Sequence, residues 1–138
     1  MPKSQPLSLR LAPDLLKTLR SEARRSSRPA SQIAQVTLDE GLRMRRCPGI
    51  LFVDGPTGRR ATIAGTGIDI WEVVRVFRSG SGSFEDLARA MPQLSRPQLE
   101  VAMYYYRLYP GEVNERLQWE AEAEAELAEG PFVRQVEV

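Results

Sequence analysis

Ser8 and Arg10 alternate with Leu7, Leu9 and Leu11 at the start of "PLSLRLAPDLLKTLR", residues 6–20. Successive side chains of an extended strand point to opposite faces. This spacing therefore puts a hydroxyl and a guanidinium on one face and three leucines on the other, with Gln5 or Lys3 at the edges. Such a polar face suits base edges and phosphate oxygens, because Arg can bind guanine with two parallel hydrogen bonds and Ser can donate or accept. The leucine face needs a core, and the strand's backbone needs a neighbour. No second alternating run follows before residue 50. The expected partner strand therefore belongs to a second copy of the chain.

The charge distribution points the same way. Residues 1–46 carry ten Lys/Arg against four Asp/Glu, a net of +6; residues 47–110 carry seven against six, and residues 111–138 two against eight. A basic head, a near-neutral middle and an acidic tail imply a polyanion at one end and a different partner at the other. With one cysteine, Cys47, and no histidine, neither an internal disulfide nor the usual zinc ligand sets can be assembled. No run has signal-peptide or membrane-span length, so a cytoplasmic protein without membrane association is expected.

After the strand, Pro13 suits the first position of a helix, with Asp14 in its first turn. Leu15, Leu16, Leu19 and Ala23 recur at helical spacing up to the break at "RRSSRPAS". A second helix is expected from about Ser31, burying Ile33, Ala34, Thr37, Leu38 and Leu42 and ending at Pro48-Gly49. A strand–helix–helix unit of this size rarely buries enough surface alone, so it should be an obligate dimer. Here the sequence resembles the ribbon-helix-helix repressors of the Arc, MetJ and CopG type. That resemblance, over residues 6–46, implies that Ser8 and Arg10 read bases and that the N-terminus of the second helix at Ser31 grips a phosphate. Ser27 and Arg28 are then neighbours on the loop. The chain departs from the pattern in having Ala12 where a Ser or Thr cap is usual, and "SSRP" where the turn usually has Gly.

The next segment has different grammar. "ILFV" (50–53) and "RRATIA" (59–64) flank the turn "DGPTG" and read as a hairpin. Asp69 with Glu72, Ser83 with Asp86, and Ser95 with Gln98 are capping-box spacings that start helices over 70–78, 84–90 and 96–109. Val73, Val74, Phe77, Phe84, Leu87, Leu99, Met103 and Tyr106 should supply their shared core. Two short helices, a turn and a longer helix form a helix-turn-helix layout. From "CPGILFVDGPTGRRATIAGTGIDIWEVV" to the Tyr-rich final helix, the segment resembles a small family of unknown function common among bacterial antitoxins. That resemblance, over 48–115, implies a winged-helix-like module and a neighbouring toxin, often a PIN-like nuclease. Arg96, Gln98 and Arg107 on the third helix and Arg59 and Arg60 at the hairpin tip are candidates for a second DNA contact. Protein docking is an equal reading of that helix, and plain exposed hairpin charges are the favoured reading of the two hairpin arginines. Tyr104, Tyr105 and Tyr109 are candidates for stacking on a partner, whereas Tyr106 and Trp71 read as core.

"DGPTGRR" and "AGTGID" lack the Gly-Lys-Ser/Thr and three-glycine patterns of nucleotide loops, so their glycines are expected to serve turns and a helix entry. With no histidine, and Cys47 at a linker, no catalytic residue, metal or cofactor is expected. The tail, "EVNERLQWEAEAEAELAE", should be helical against a surface and stopped by Gly130-Pro131. Trp119, Leu127, Phe132 and Val133 have no evident core to join and are candidate contacts for a basic partner. The ending "FVRQVEV" is β-type in composition and lacks an evident partner.

The combined expectation is a mainly α chain in three parts. Residues 1–47 form a dimeric ribbon-helix-helix domain that binds double-stranded operator DNA. Residues 48–110 form a hairpin plus helix-turn-helix-like domain, and 111–138 an acidic partner-binding tail. This describes a VapB-type antitoxin and autorepressor: a homodimer, with pairing into higher oligomers left open, that neutralises a cognate toxin. A transcription regulator without a toxin and a dimeric adaptor that does not bind DNA are the two alternatives.

Overall fold

The computed structural model describes residues 3–56 and 58–129. The chain divides into two compact units, with the boundary between Arg43 and Met44.

In the first unit, α1 (Pro13–Ser26) begins with proline in its first turn, where a missing N–H costs nothing. It ends at Ser27, whose φ of 55° is left-handed. The Ser27 amide donates to Arg24 O at 3.2 Å and the Arg28 amide to Ala23 O at 3.0 Å, which is the Schellman pattern. Serine thus holds a position that glycine usually takes, which explains why "SSRP" closes the helix without glycine. The second helix, α2 (Ala30–Arg46), follows after Pro29. Residues 3–12 form no strand within the single chain. Leu38 and Leu42, expected in the core, are 50% and 54% exposed, and Thr37 is exposed too. Two helices alone offer no surface that covers both of their apolar stripes.

The second unit begins at the end of α2 and has a real core. Strands β1 (Ile50–Gly55) and β2 (Gly58–Ile63) pair antiparallel, with Ile50 opposite Ile63 and Phe52 opposite Ala61. Their inner face meets α3 (Ile70–Ser79), α4 (Phe84–Ala90), α5 (Arg96–Leu108) and α6 (Pro110–Glu129) around Ile50, Ile63, Val73, Val74, Leu87, Leu99 and Tyr105. Cys47 lies fully buried in this cluster rather than in an open linker. Gly65 and Gly67, with φ of 76° and 71°, make the tight loop between β2 and α3.

The helix starts follow their caps. Ser95 and Gln98 exchange both bonds of the capping box, at 2.8 and 3.3 Å, and Ser83 accepts from the Asp86 amide at 3.1 Å. At α3 the Asp69–Glu72 capping box is present, with the Asp69 amide donating to Glu72 Oε2 at 2.8 Å. The Asp69 carboxylate also accepts from Arg60 and Trp71.

Two expectations need correction. Tyr105, considered for stacking on a partner, is fully buried, whereas Tyr106 is half-buried with its hydroxyl donating to Asn114 at 2.8 Å. The cause is α6, which packs on α5 and turns the Tyr105 face inward; Tyr105 donates to Glu112 and its ring lies 4.8 Å from that of Tyr109. Pro110-Gly111 also does not simply stop α5. Tyr109 breaks the helix, and Pro110 opens α6 in the position proline tolerates best. The first half of α6 docks on the core through Val113, which is 4% exposed, and Leu117. Among the described residues no helix is long and apolar enough to cross a membrane.

Candidate functional site

The second unit carries a groove of about 330 Å³ between the outer part of β2, the start of α3 and the first half of α6. Arg59, Arg60 and Ala61 form one wall, Ile70 and Trp71 the end, and Glu112, Val113, Glu115, Arg116 and Trp119 the other wall over Tyr105. Its chemistry is mixed. Apolar side chains line the floor, while guanidinium and carboxylate groups stand on both rims.

The cross-links that shape it are long-range in sequence. Arg60 Nη1 donates to Asp69 Oδ2 at 3.3 Å, and Trp71 Nε1 donates to the same oxygen at 3.1 Å. Asp69 is 2% exposed, and its Oδ1 and the Arg60 Nε have no partner among the described residues. A buried carboxylate is tolerable because a cation and an indole N–H hold it. Across the groove Arg116 pairs with Glu120 at 2.7 Å and lies over both the Trp119 and Trp71 rings, 4.9 and 5.6 Å from their centroids. Arg75 lies 5.0 Å from the Trp71 centroid and pairs with Glu124 at 3.0 Å, which ties α3 to α6. Trp71, expected in the core, packs half-buried against it and also presents its ring to the groove among cations.

The sequence-predicted residues fall into three groups. Lys3, Gln5, Ser8, Arg10, Ser27, Arg28 and Ser31 are all exposed in the first unit. Those of the middle segment are engaged within the fold. Arg59 pairs with Asp54 at 3.1 Å, and Arg96 pairs with Glu85 and Glu100 while lying over the Phe84 ring. Gln98 is committed to its capping box; Arg107, in the last turn of α5, is exposed and makes no such bond among the described residues. On α6, Trp119 is 47% exposed at the groove and Leu127 68% exposed beyond it. Phe132 and Val133 lie outside the described residues, as does the expected Gly130-Pro131 stop. Among the described residues no group of three or more Cys, Asp or Glu is arranged to hold a metal ion.

One family model matches the chain, over the stretch that begins at the hairpin turn and ends inside α5. Residues 55–106 are a DUF433 domain, a family described as a protein of unknown function. No curated protein and no solved structure matches the chain. The DUF433 domain supplies Arg59, Arg60, Ala61, Ile70, Trp71 and Tyr105 to the groove, and α6 closes it from outside the match. Sequence reasoning missed this groove as a site. Its one local signal was the Asp69–Trp71 pair at a helix entry.

Proposed function

We propose that the chain is a dimeric DNA-binding antitoxin that represses its own operon and neutralises a cognate toxin. The observation that carries this reading is the first unit's bare apolar surface. Leu7, Leu9, Leu15, Leu38 and Leu42 are each at least half exposed, and Ala23 is the one buried apolar residue of that unit among those described. Burying a leucine stabilises by about 1.5–3 kcal/mol, so a second copy laid on this face would turn two marginal units into one core. Pairing Leu7–Leu11 with its symmetry mate then leaves Ser8 and Arg10 of both chains on the outer face of a ribbon, the shape that enters a major groove. The +6 balance of residues 1–46 and the absence of acidic residues in the first turn of α2 favour a phosphate backbone beside it.

The middle domain supports a role in holding the fold rather than reading DNA. Arg96 and Gln98 on its third helix are engaged with Glu85, Glu100 and Ser95, so reading bases would first have to break those bonds. The acidic outer face of α6, with the segment after it, suits a toxin whose nucleic-acid site is basic.

The test is fluorescence anisotropy on the DNA upstream of the gene at several salt concentrations, beside light scattering for mass. A dimer whose binding falls steeply with salt is expected, with Arg10→Ala costing about 1–3 kcal/mol and relaxing base preference. A monomer, or an Arg10→Ala variant with unchanged affinity and site preference, overturns the ribbon reading.

A further inference from the structure

The hairpin has two edges, and the fold protects them unequally. The Ala64 amide donates to Gly49 O at 2.9 Å, which sets the parity of the ladder. In an antiparallel pair, residues that exchange bonds alternate with residues that do not. Leu51 with Thr62 and Val53 with Arg60 therefore bond within the hairpin, while Ile50, Phe52 and Asp54 direct their backbone groups away from β2. On the β2 side, Ile68 O satisfies the Ile63 amide at 2.9 Å, and the Thr62–Asp69 bridge covers that end. On the β1 side, Cys47 O satisfies the Ile50 amide at 3.0 Å. The Ile50 C=O, the Phe52 N–H and C=O, and the Asp54 N–H meet no partner among the described residues. Edge strands are usually blunted by lysine, proline or a bulge. β1 has none of these: it reads Ile50-Leu51-Phe52-Val53 before its first charge, and its register with β2 is unbroken from Ile50 to Gly55. Leu51, on the face opposite Ile50 and Phe52, is 45% exposed.

Open backbone groups beside an exposed leucine call for another strand, and β1 is complementary to itself. We propose that the β1 edge pairs antiparallel with the β1 edge of a second copy, joining two hairpins into one sheet. The two-fold axis passes beside Phe52. Each Phe52 exchanges both backbone bonds with its counterpart, and each Asp54 N–H donates to the Ile50 C=O of the other copy. Leu51 then lies opposite Val53 of the other copy, in a non-bonded pair whose side chains stand close enough to cover both. Neighbouring registers fit less well. With the axis at Leu51, each Phe52 C=O would face an Ile50 amide already bonded to Cys47 O. With the axis at Val53, Leu51 would face Gly55, which has no side chain to cover it. The pairing removes an apolar edge from solvent and holds the second units of two copies side by side. The contact is small, so it draws effective concentration from the dimer proposed above and to that extent rests on that reading.

The test is NMR on the full chain, beside light scattering for mass. Within one strand Leu51 and Val53 are about 7 Å apart, at about 3.4 Å per residue, too far for a strong nuclear Overhauser effect between their α-protons. Across the proposed pair their Cα atoms are about 4.5 Å apart, so a strong α-proton contact between residues 51 and 53 comes from the second copy alone. That contact is expected. The Phe52 and Asp54 amides should also exchange at least about tenfold more slowly in the wild type than in Leu51→Asp. The Ala61 amide, on the other edge, is the internal reference and should not change. Should Leu51→Asp fail to fold, the wild-type α-proton contact still decides. A dimer without that contact overturns the pairing and leaves the first unit's apolar face as the dimer interface. Slow Phe52 exchange without the contact overturns the pairing too, assigning the edge to a different covering segment. A monomer overturns both the pairing and the dimer.

Discussion

Arg60 and Asp69 are nine residues apart in sequence and meet as an ion pair at 3.3 Å, with the Asp69 side chain 3% exposed and that of Arg60 39% exposed. With the Thr62–Asp69 bridge and the bonds of Thr62 and Ile63 to Ile68 O, this pair ties the hairpin to the entry of α3 beside the groove. Asp69 thus serves two purposes: its carboxylate holds Arg60 and Trp71, and its amide donates to the Glu72 side chain in the capping box that starts α3.

Asp69→Asn should therefore destabilise the second unit. Removing one partner of a fully buried pair costs about 3–5 kcal/mol, but Arg60 is partly solvated, so the expected loss is about 1–2 kcal/mol. Urea unfolding followed by tryptophan fluorescence reads both the stability and the surroundings of Trp71. An unchanged midpoint would mean that the pair is not a net contributor.

Tyr105 and Tyr106 should separate clearly. Tyr105→Ala empties a fully buried site that touches Phe52 and Tyr109, and should cost about 3–5 kcal/mol. Tyr106→Ala removes a half-buried ring and one hydrogen bond to Asn114, and should cost about 1–2 kcal/mol. Equal losses in thermal unfolding would contradict the inward face assigned to α5.

These two tyrosines also show what local pattern carries and what it does not. Pro13, Ser83, Ser95 and Asp69 with Glu72 act within one helical turn, and the helices they start lie within a residue or two of expectation. The hairpin was equally legible, because its alternation and turn residues are contiguous. Which of Tyr105 and Tyr106 faces inward depends on where α6 docks, and the register of α5 alone does not contain that. The groove was illegible for the same reason: Arg60, Trp71 and Arg116 come together only through packing of β2, α3 and α6. Leu38 and Leu42 are the converse case. Their helical spacing marks them as buried, yet one chain provides nothing to bury them.

Asp86 carries a pH signature. The Ser81 hydroxyl that donates to its carboxylate, followed by the Arg89 guanidinium, holds it below its ordinary value. A carboxylate with a depressed folded-state pKa stabilises above its unfolded-state pKa, about 3.9, and loses that contribution as pH falls through the folded value. Ser81→Ala should move the Asp86 titration upward, read from its carboxyl carbon shift. A midpoint unaffected by the substitution would leave Arg89 as the whole cause.

The last prediction concerns the two faces of α6. Val113, Arg116, Leu117, Glu120 and Ala123 are buried or half-buried at helical spacing, whereas Glu122, Glu126 and Glu129 are exposed. Removing residues 111–138 would strip Val113 and the Glu112 partner of Tyr105 from the core, so loss of a partner after that deletion would say nothing about recognition. Glu122→Lys, Glu126→Lys and Glu129→Lys together reverse only the outer face, where substitutions usually change stability by less than about 0.5 kcal/mol. If the acidic face docks a basic toxin, the triple variant keeps its melting temperature and its DNA binding while toxin affinity falls at least about tenfold. Toxin binding at wild-type strength would remove this face from the proposed interface and leave the segment after Glu129 as the remaining candidate.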